Sequence, residues 1–185
     1  MRNRLLDVAA EAFQSLGYHN TSMHDVMRNA KATGGAVYHH FPSKKALGLA
    51  VIRERVAKAV EETWIEPVKS ARVTREGILA VFDQLIAELD RGKRILGCPL
   101  NNLALELSLA DPEFQIAIQE VFEQWRIAIA QKLRSDKSRG LLKKFEPETF
   151  ATFVVASLSG AMALAKASQN ANAIRACARQ LARIM

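Results

Sequence analysis

The feature that most limits this chain is the spacing of its apolar residues, which recur every three or four positions almost from end to end. Leu5, Leu6, Ala9, Phe13 and Leu16 share one helix face. Ile78, Leu79, Phe82, Leu85, Ile86 and Leu89 form a second such stripe, and Phe114, Ile118, Val121, Phe122, Trp125, Ile129 and Leu133 a third. That period belongs to helices that bury one side. The sequence contains no alternating strand pattern, internal repeat or low-complexity stretch. The expectation is an all-α protein of about nine helices.

Punctuation divides the stripes. Gly17 stops the first helix as a C-cap residue, and Thr21-Ser22 offer N-caps for a second with Met23, Val26, Met27 and Ala30 as its apolar face. About three residues separate it from a third piece over 34–40. Pro42-Ser43 resets the chain, and a helix runs from Lys44 to about Trp64, where Pro67 is expected to break it. Thr74 opens the next. Residues 91–102, with two glycines and a proline, form a connection, and a short helix ends near Ala110. Asp111-Pro112 is a strong helix start, with an N-cap followed by proline in the first turn. "RSDKSRGLLKKF" is expected as a charged loop. Glu146-Pro147 begins a helix over about 148–168, apolar on almost all sides, and residues 172–184 give the last.

The chain of 185 residues, 49% of them apolar, is long enough for a sizeable core in one large domain or two small ones. No uninterrupted apolar run approaches the roughly 18 residues that span a bilayer. Asp7 and Glu11 interrupt the stretch that a secretion signal would need. A cytoplasmic protein with no membrane partner is expected. Cys98 and Cys177 are far apart in helical runs and are expected as buried, reduced thiols; a redox-sensing pair is the alternative. No histidine lies near either, and no metal or other cofactor is implied.

Net charge is +7. Residues 1–55 hold eight Lys/Arg against four Asp/Glu and all four histidines (His19, His24, His39, His40). This asymmetry points to an anionic partner for the N-terminal region, nucleic acid or an anionic membrane surface.

Two helices three residues apart, the second opening "ATGGAVYHHFPSKK", form a helix-turn-helix layout. In it the second helix enters a DNA major groove about 12 Å wide. Thr33 would cap it, leaving the backbone N–H groups of Gly34 and Gly35 open to a phosphate or base edge. Tyr38 and His39, one turn on, can donate to phosphate or base, and Lys44 adds a charge nearby. Ala36, Val37 and Phe41 are better suited to packing, as is His40.

The stretch "TSMHDVMRNAKATGGAVYHHFPSKKAL" closely resembles the helix-turn-helix of the tetracycline-repressor (TetR) family of bacterial regulators. The Thr-Ser start, the small-residue turn, the Tyr-x-His-Phe end and the following Ser-Lys are all present. "GCPLNNLALELSLADPEF" looks like one branch of the family. The resemblance implies a helix-turn-helix DNA-binding domain over 1–46 and a helical effector-binding and dimerisation domain over 47–185. It implies a homodimeric repressor that binds a palindromic double-stranded operator and is released by a small effector. The family's DNA contacts fall on Ser22, His24, Thr33, Gly34, Gly35, Tyr38, His39 and Lys44. Two positions depart from the pattern: Lys31 stands where a turn glycine is usual, and Gly34 where a lysine or other polar side chain often reads DNA.

For the body, the small residues Ala156, Ser159, Gly160 and Ala163, with Ile174, Cys177 and Leu181 on the last helix, suggest a dimer interface built as a four-helix bundle. The alternative for these two helices is the core of the single chain. Trp64, Phe82, Leu103, Phe122, Trp125 and Phe153, with Asn102 as a polar contact, are candidates for an effector pocket. Plain core packing is the competing reading for each. Few ionisable groups interrupt the stripes, which favours a mostly apolar effector. The competing function is a DNA-binding architectural or constitutive regulator without an effector, for which 130 residues of body are generous. No phosphate loop, Ser/His/Asp constellation or metal-ligand spacing supports an enzyme.

Overall fold

The computed structural model describes residues 1–92, 94–141 and 146–185; Lys93, within the expected connection 91–102, and 142–145, within the expected loop "RSDKSRGLLKKF", lie outside. Every regular element among the described residues is helical. Contacts divide the chain into two compact units, residues 1–59 with 99–121, and residues 60–98 with 122–185. The expected boundary at 46 takes no account of 99–121, which groups with the N-terminal segment.

The first unit, the head, contains α1 (Arg2–Leu16), α2 (Met23–Asn29), α3 (Gly34–His40) and α4 (Lys44–Val51). It also holds α8 (Pro99–Leu107) and the first turns of α9 (Pro112–Ser138). Side-chain N-caps form at Ser22 and Thr33, as expected from the sequence, and at Ser43. Ser22 Oγ accepts from Asp25 N–H in a full capping box, Thr33 Oγ1 accepts from Ala36 N–H at 3.4 Å, and Ser43 Oγ accepts from Ala46 N–H at 3.1 Å. Gly17, at φ 90°, ends α1 with its N–H on Phe13 O. Asp111 caps α9 through Glu113 N–H at 2.8 Å. Leu5, Leu6, Phe13, Val26, Val37, Phe41 and Leu47 are buried as the head's core.

Helical backbone continues from 44 to 70, so Pro67 does not break it. The α-segments α4, α5 (Ala57–Val60) and α6 (Glu66–Ser70) are joined by wider π turns at Ile52–Val56 and Glu61–Ile65. Ala57 N–H and Glu66 N–H each donate five residues back, to Ile52 O and Glu61 O. Pro67 follows that second wide turn in the first turn of α6, where a missing N–H costs little. Counting 44–70 as one rod, the described residues form nine helices.

The second unit, the body, holds α7 (Thr74–Leu89), α10 (Pro147–Ser168), α11 (Asn172–Ile184) and the rest of α9. Helix α9 runs to Ser138, so "RSDKS" is helical and not loop. Its end is fixed by contacts distant in sequence: Asp136 holds Thr74, Arg139 donates to Arg72 O, and Lys132 Nζ donates to Ala71 O at 2.5 Å. Trp64, Phe82 and Trp125 are buried in contact, Trp64 lying 5.8 Å from the Phe82 ring and 5.1 Å from the Trp125 ring.

Helix α10 has the length and composition to cross a membrane, with a mean hydropathy of 1.5. A count of uninterrupted apolar residues misses this because Thr, Ser and Gly are spread through it. Phe150, Ala151, Val154, Val155, Leu158, Ala161, Met162 and Ala165 are nonetheless buried within the chain, and α10 packs along α11.

Candidate nucleic-acid interface

Helix α3 is built to be held from one side. Val37 is fully buried and Phe41, its C-cap residue, is 3% exposed, while Tyr38 is 52% exposed and His39 exposed beside it. Thr33 and Gly35 are also exposed, and a Cβ on Gly35 would meet nothing within 4 Å. Gly34 is half-buried, its nearest neighbour being Met27 Sδ at 3.5 Å from the Cβ position. Burying a valine side chain contributes about 1.5–3 kcal/mol, so the anchored side orients the helix and leaves the polar side free. On α2, Ser22 and His24 are exposed. Ser22's hydroxyl is already committed to the cap, donating to Asp25 while accepting from its N–H. Hydrogen bonds donated to its carboxylate by the Ser22 hydroxyl and the Ser22 backbone N–H hold Asp25 below the usual carboxylate range, with Arg28 adding to the effect.

Lys44 is placed differently from the other candidates. Its Nζ donates to the His19 carbonyl at 3.2 Å and lies 4.4 Å from the centroid of the Tyr18 ring. Burial lowers its pKa, partly offset by Glu106. The ammonium group is thus turned onto the head's own α1–α2 corner.

The charge of the head also differs from the sequence count over 1–55. Residues 99–121 bring Glu106, Asp111, Glu113 and Glu120 and no Lys or Arg, so the head unit carries nine basic side chains against eight acidic ones. Several cations are spent internally. Arg2 pairs with Glu54, Arg28 with Asp25, Arg55 with Asp7, and Lys45 bridges Asp111 and Glu113 at 2.6 Å each. The hydrogen bonds that the Lys45 ammonium donates to Asp111 and Glu113 raise its pKa. Arg4, Lys31 and Arg53 are exposed with no ion pair among the described residues. Residue counts cannot separate these from the paired cations, because most of the partners, such as Glu54 for Arg2 and Glu113 for Lys45, lie far away along the chain.

Lys31, in the turn before α3, has φ 48°. The turn therefore keeps the left-handed geometry that glycine favours while carrying a lysine.

The residues singled out for an effector do not form one cluster. Trp64, Phe82 and Trp125 meet in the body, with Phe122 half-buried on the same unit. Leu103 and Asn102 belong to the head unit, where Leu103, Phe13, Val51, Val56 and Pro99 line a cavity of about 110 Å³. Phe153 is 46% exposed beside Phe150, which removes it from an enclosed pocket. The Trp125 indole N–H is buried with no acceptor.

The expected dimer residues also separate. Ile174 and Leu181 are buried in the chain's own core, at 0% and 1% exposure, and cannot offer a surface; Cys177 is half-buried with Sγ near Ser157 O. Ala156, Gly160 and Ala163 are exposed and Ser159 is half-buried. Phe153 and Leu164 extend that face, which runs uncharged along α10. No group of three His, Cys, Asp or Glu residues that could hold a metal occurs among the described residues.

A polar helix capped at Thr33, anchored by Val37 and Phe41 and preceded by a second capped helix, defines a helix-turn-helix DNA-binding head. Residues 5–51 match the bacterial regulatory proteins of the tetR family, and residues 74–180 match the LmrA/YxaF-like transcriptional regulator C-terminal domain. The chain belongs to the TetR family of DNA-binding transcriptional regulators, with a body of the LmrA/YxaF-like kind. It is 26% identical over 178 residues to an HTH-type transcriptional regulator in the lacX 3' region of Lactococcus lactis, covering 94% of this chain and 87% of that one. It is 27% identical over 134 residues to the regulator LmrA of Bacillus subtilis, covering 72% and 71%. The fold is shared with the reduced form of Escherichia coli NemR at a TM-score of 0.90 and 22% identity, over 98% of this chain and 95% of that one. A TetR regulator from Chloroflexus aurantiacus aligns at 0.85 and 26% identity, over 98% and 92%.

Proposed function

We propose that this regulator is a cytoplasmic homodimeric repressor whose two heads bind the half-sites of an inverted-repeat operator, and that a small, mostly apolar effector releases it. The observation that carries the reading is the division of α3 into a buried anchor, Val37 and Phe41, and an exposed polar set, Thr33, Gly35, Tyr38 and His39. His24 and the half-buried Gly34 add to that set, and Ser22 contributes by capping α2. Dimerisation is supported by the uncharged exposed face of α10, where Ala156, Gly160 and Ala163 allow close helix approach and Phe153 and Leu164 supply apolar area. The aromatic group Trp64, Phe82 and Trp125 is the best support for an effector site, and the free Trp125 N–H favours a ligand that carries a hydrogen-bond acceptor. Such an effector acts by favouring a body conformation in which the heads no longer fit successive grooves.

Selection from a random DNA pool by the full-length protein tests the reading. The enriched duplex should be an inverted repeat with half-sites about one helical turn, roughly 34 Å, or a small multiple apart. Affinity should fall steeply with salt. Enrichment of no palindrome, or binding as a monomer, sinks it.

A further inference from the structure

The α1–α2 corner is held by charges from elsewhere in the head. Beyond Gly17, the backbone N–H groups of Tyr18 and His19 both donate to one carboxylate. Tyr18 reaches Oε2 of Glu106 at 2.9 Å and His19 reaches Oε1 at 2.6 Å. The carbonyl of His19 accepts from Lys44, so both faces of the corner's backbone are tied to charged side chains. Gly17 makes room for this: a Cβ there would lie 3.2 and 3.3 Å from the carboxylate oxygens. The Tyr18 ring is wedged between Phe13 and Phe114, with centroids 5.2 and 5.1 Å away. Only Asn20 and Thr21 separate this clamp from Ser22, the cap of α2. Both are fixed in turn, Asn20 Nδ2 on Leu16 O at 3.1 Å and Thr21 Oγ1 on Gly17 O at 2.9 Å. The placement of α2 therefore follows a carboxylate on α8.

We infer that Glu106 is a positioning residue for DNA binding, one that meets no DNA and sets the orientation in which α2 is presented; the inference rests on the DNA-binding reading of the head. Simple electrostatics gives the opposite sign. A carboxylate on a phosphate-binding unit repels DNA, so neutralising it should tighten binding if its charge acted only through space. As a clamp, its loss weakens binding. Glutamine keeps the size but has one oxygen to accept with, and turns an NH2 donor against an N–H donor. Two charge-assisted bonds become at most one neutral bond.

The test compares full-length wild type and Glu106→Gln on the duplex that the wild type selects from a random pool. Glu106→Gln should bind about tenfold more weakly, the order expected from the loss of one charge-assisted hydrogen bond. The slope of affinity against salt should be unchanged, because no phosphate contact is removed. Amide hydrogen exchange should quicken at Tyr18 and His19 while the helical amides of α1 and α2 keep their protection. Glu106→Asp, which retains the charge and loses the reach, should behave in the same way. Binding equal to or tighter than wild type, or a salt slope altered by about one, overturns the inference. So does a loss of protection throughout the head, which marks a residue that stabilises the fold and nothing more. If the wild type selects no duplex, the DNA-binding reading fails first and the inference falls with it.

Discussion

The carboxylate of Asp136 accepts both the backbone N–H of Thr74, at 2.5 Å, and its hydroxyl, at 2.6 Å, and all three groups are buried. The first turn of α7 is thus capped by a residue of α9, 62 positions along the chain. Val73, the residue before α7, has no side chain able to do this.

Removing that charge should be costly. Burial alone would raise the Asp136 pKa, but the hydrogen bonds from Thr74 and Arg139 outweigh it and hold the carboxyl below its ordinary value. Asp136→Asn should destabilise the protein by about 2–3 kcal/mol in urea unfolding, the scale for a buried charge-assisted pair. Because the folded-state pKa lies below the unfolded value of about 3.9, the contribution is complete above that pH. It is lost as pH falls through the folded pKa. Wild type should therefore lose stability more steeply than Asp136→Asn in acid, and parallel curves would refute the assignment.

Tyr38→Ala combined with His39→Ala should abolish operator binding, measured by fluorescence anisotropy on the selected duplex. Both side chains are exposed and Val37 holds the helix without them, so helicity and melting temperature should change little. A melting temperature lowered by many degrees would move these rings from interface to core.

Lys31→Gly should raise stability by roughly 0.5–1 kcal/mol, because the backbone there is already left-handed and glycine adopts that geometry without strain. Thermal unfolding measures it, and Lys31→Ala, which keeps the Cβ, should not show the gain.

Phe153→Glu together with Leu164→Glu places two charges on the uncharged face of α10, at positions 46% and 62% exposed. Sedimentation should report a monomer whose circular dichroism matches wild type. A dimer that survives both charges would place the interface elsewhere.

The helical architecture was legible because local signals agree: Ser22, Thr33 and Ser43 cap where their types suggest, and Asp111-Pro112 opens α9. The division of α3 was legible for the same reason, since Val37 and Phe41 lie one turn apart on a face that Tyr38 and His39 do not share. What stayed hidden depends on partners distant in the chain. Pro67 passes inside a helical rod because a wide turn precedes it. "RSDKS" stays helical because Asp136 and Arg139 find buried or backbone partners. Ile174 and Leu181 suit a dimer seam and a monomer core equally well by pattern, and only burial separates the two. Lys44 matches a family contact by position while its ammonium group turns to His19.

Gly48 carries a consequence for anyone who treats this head as a portable part. A Cβ there would stand 2.7 Å from the Tyr18 ring and 3.0 Å from Phe114, so α4, the corner and α9 are cut to one another's shape. A graft of residues 5–51 onto another regulator would carry two faces of that joint and leave the third behind, with the Glu106 carboxylate and the Asp111–Glu113 seat for Lys45. The exchangeable cassette is discontinuous, two stretches that must travel together, and hybrid regulators that respect this should outperform those joined at a single seam.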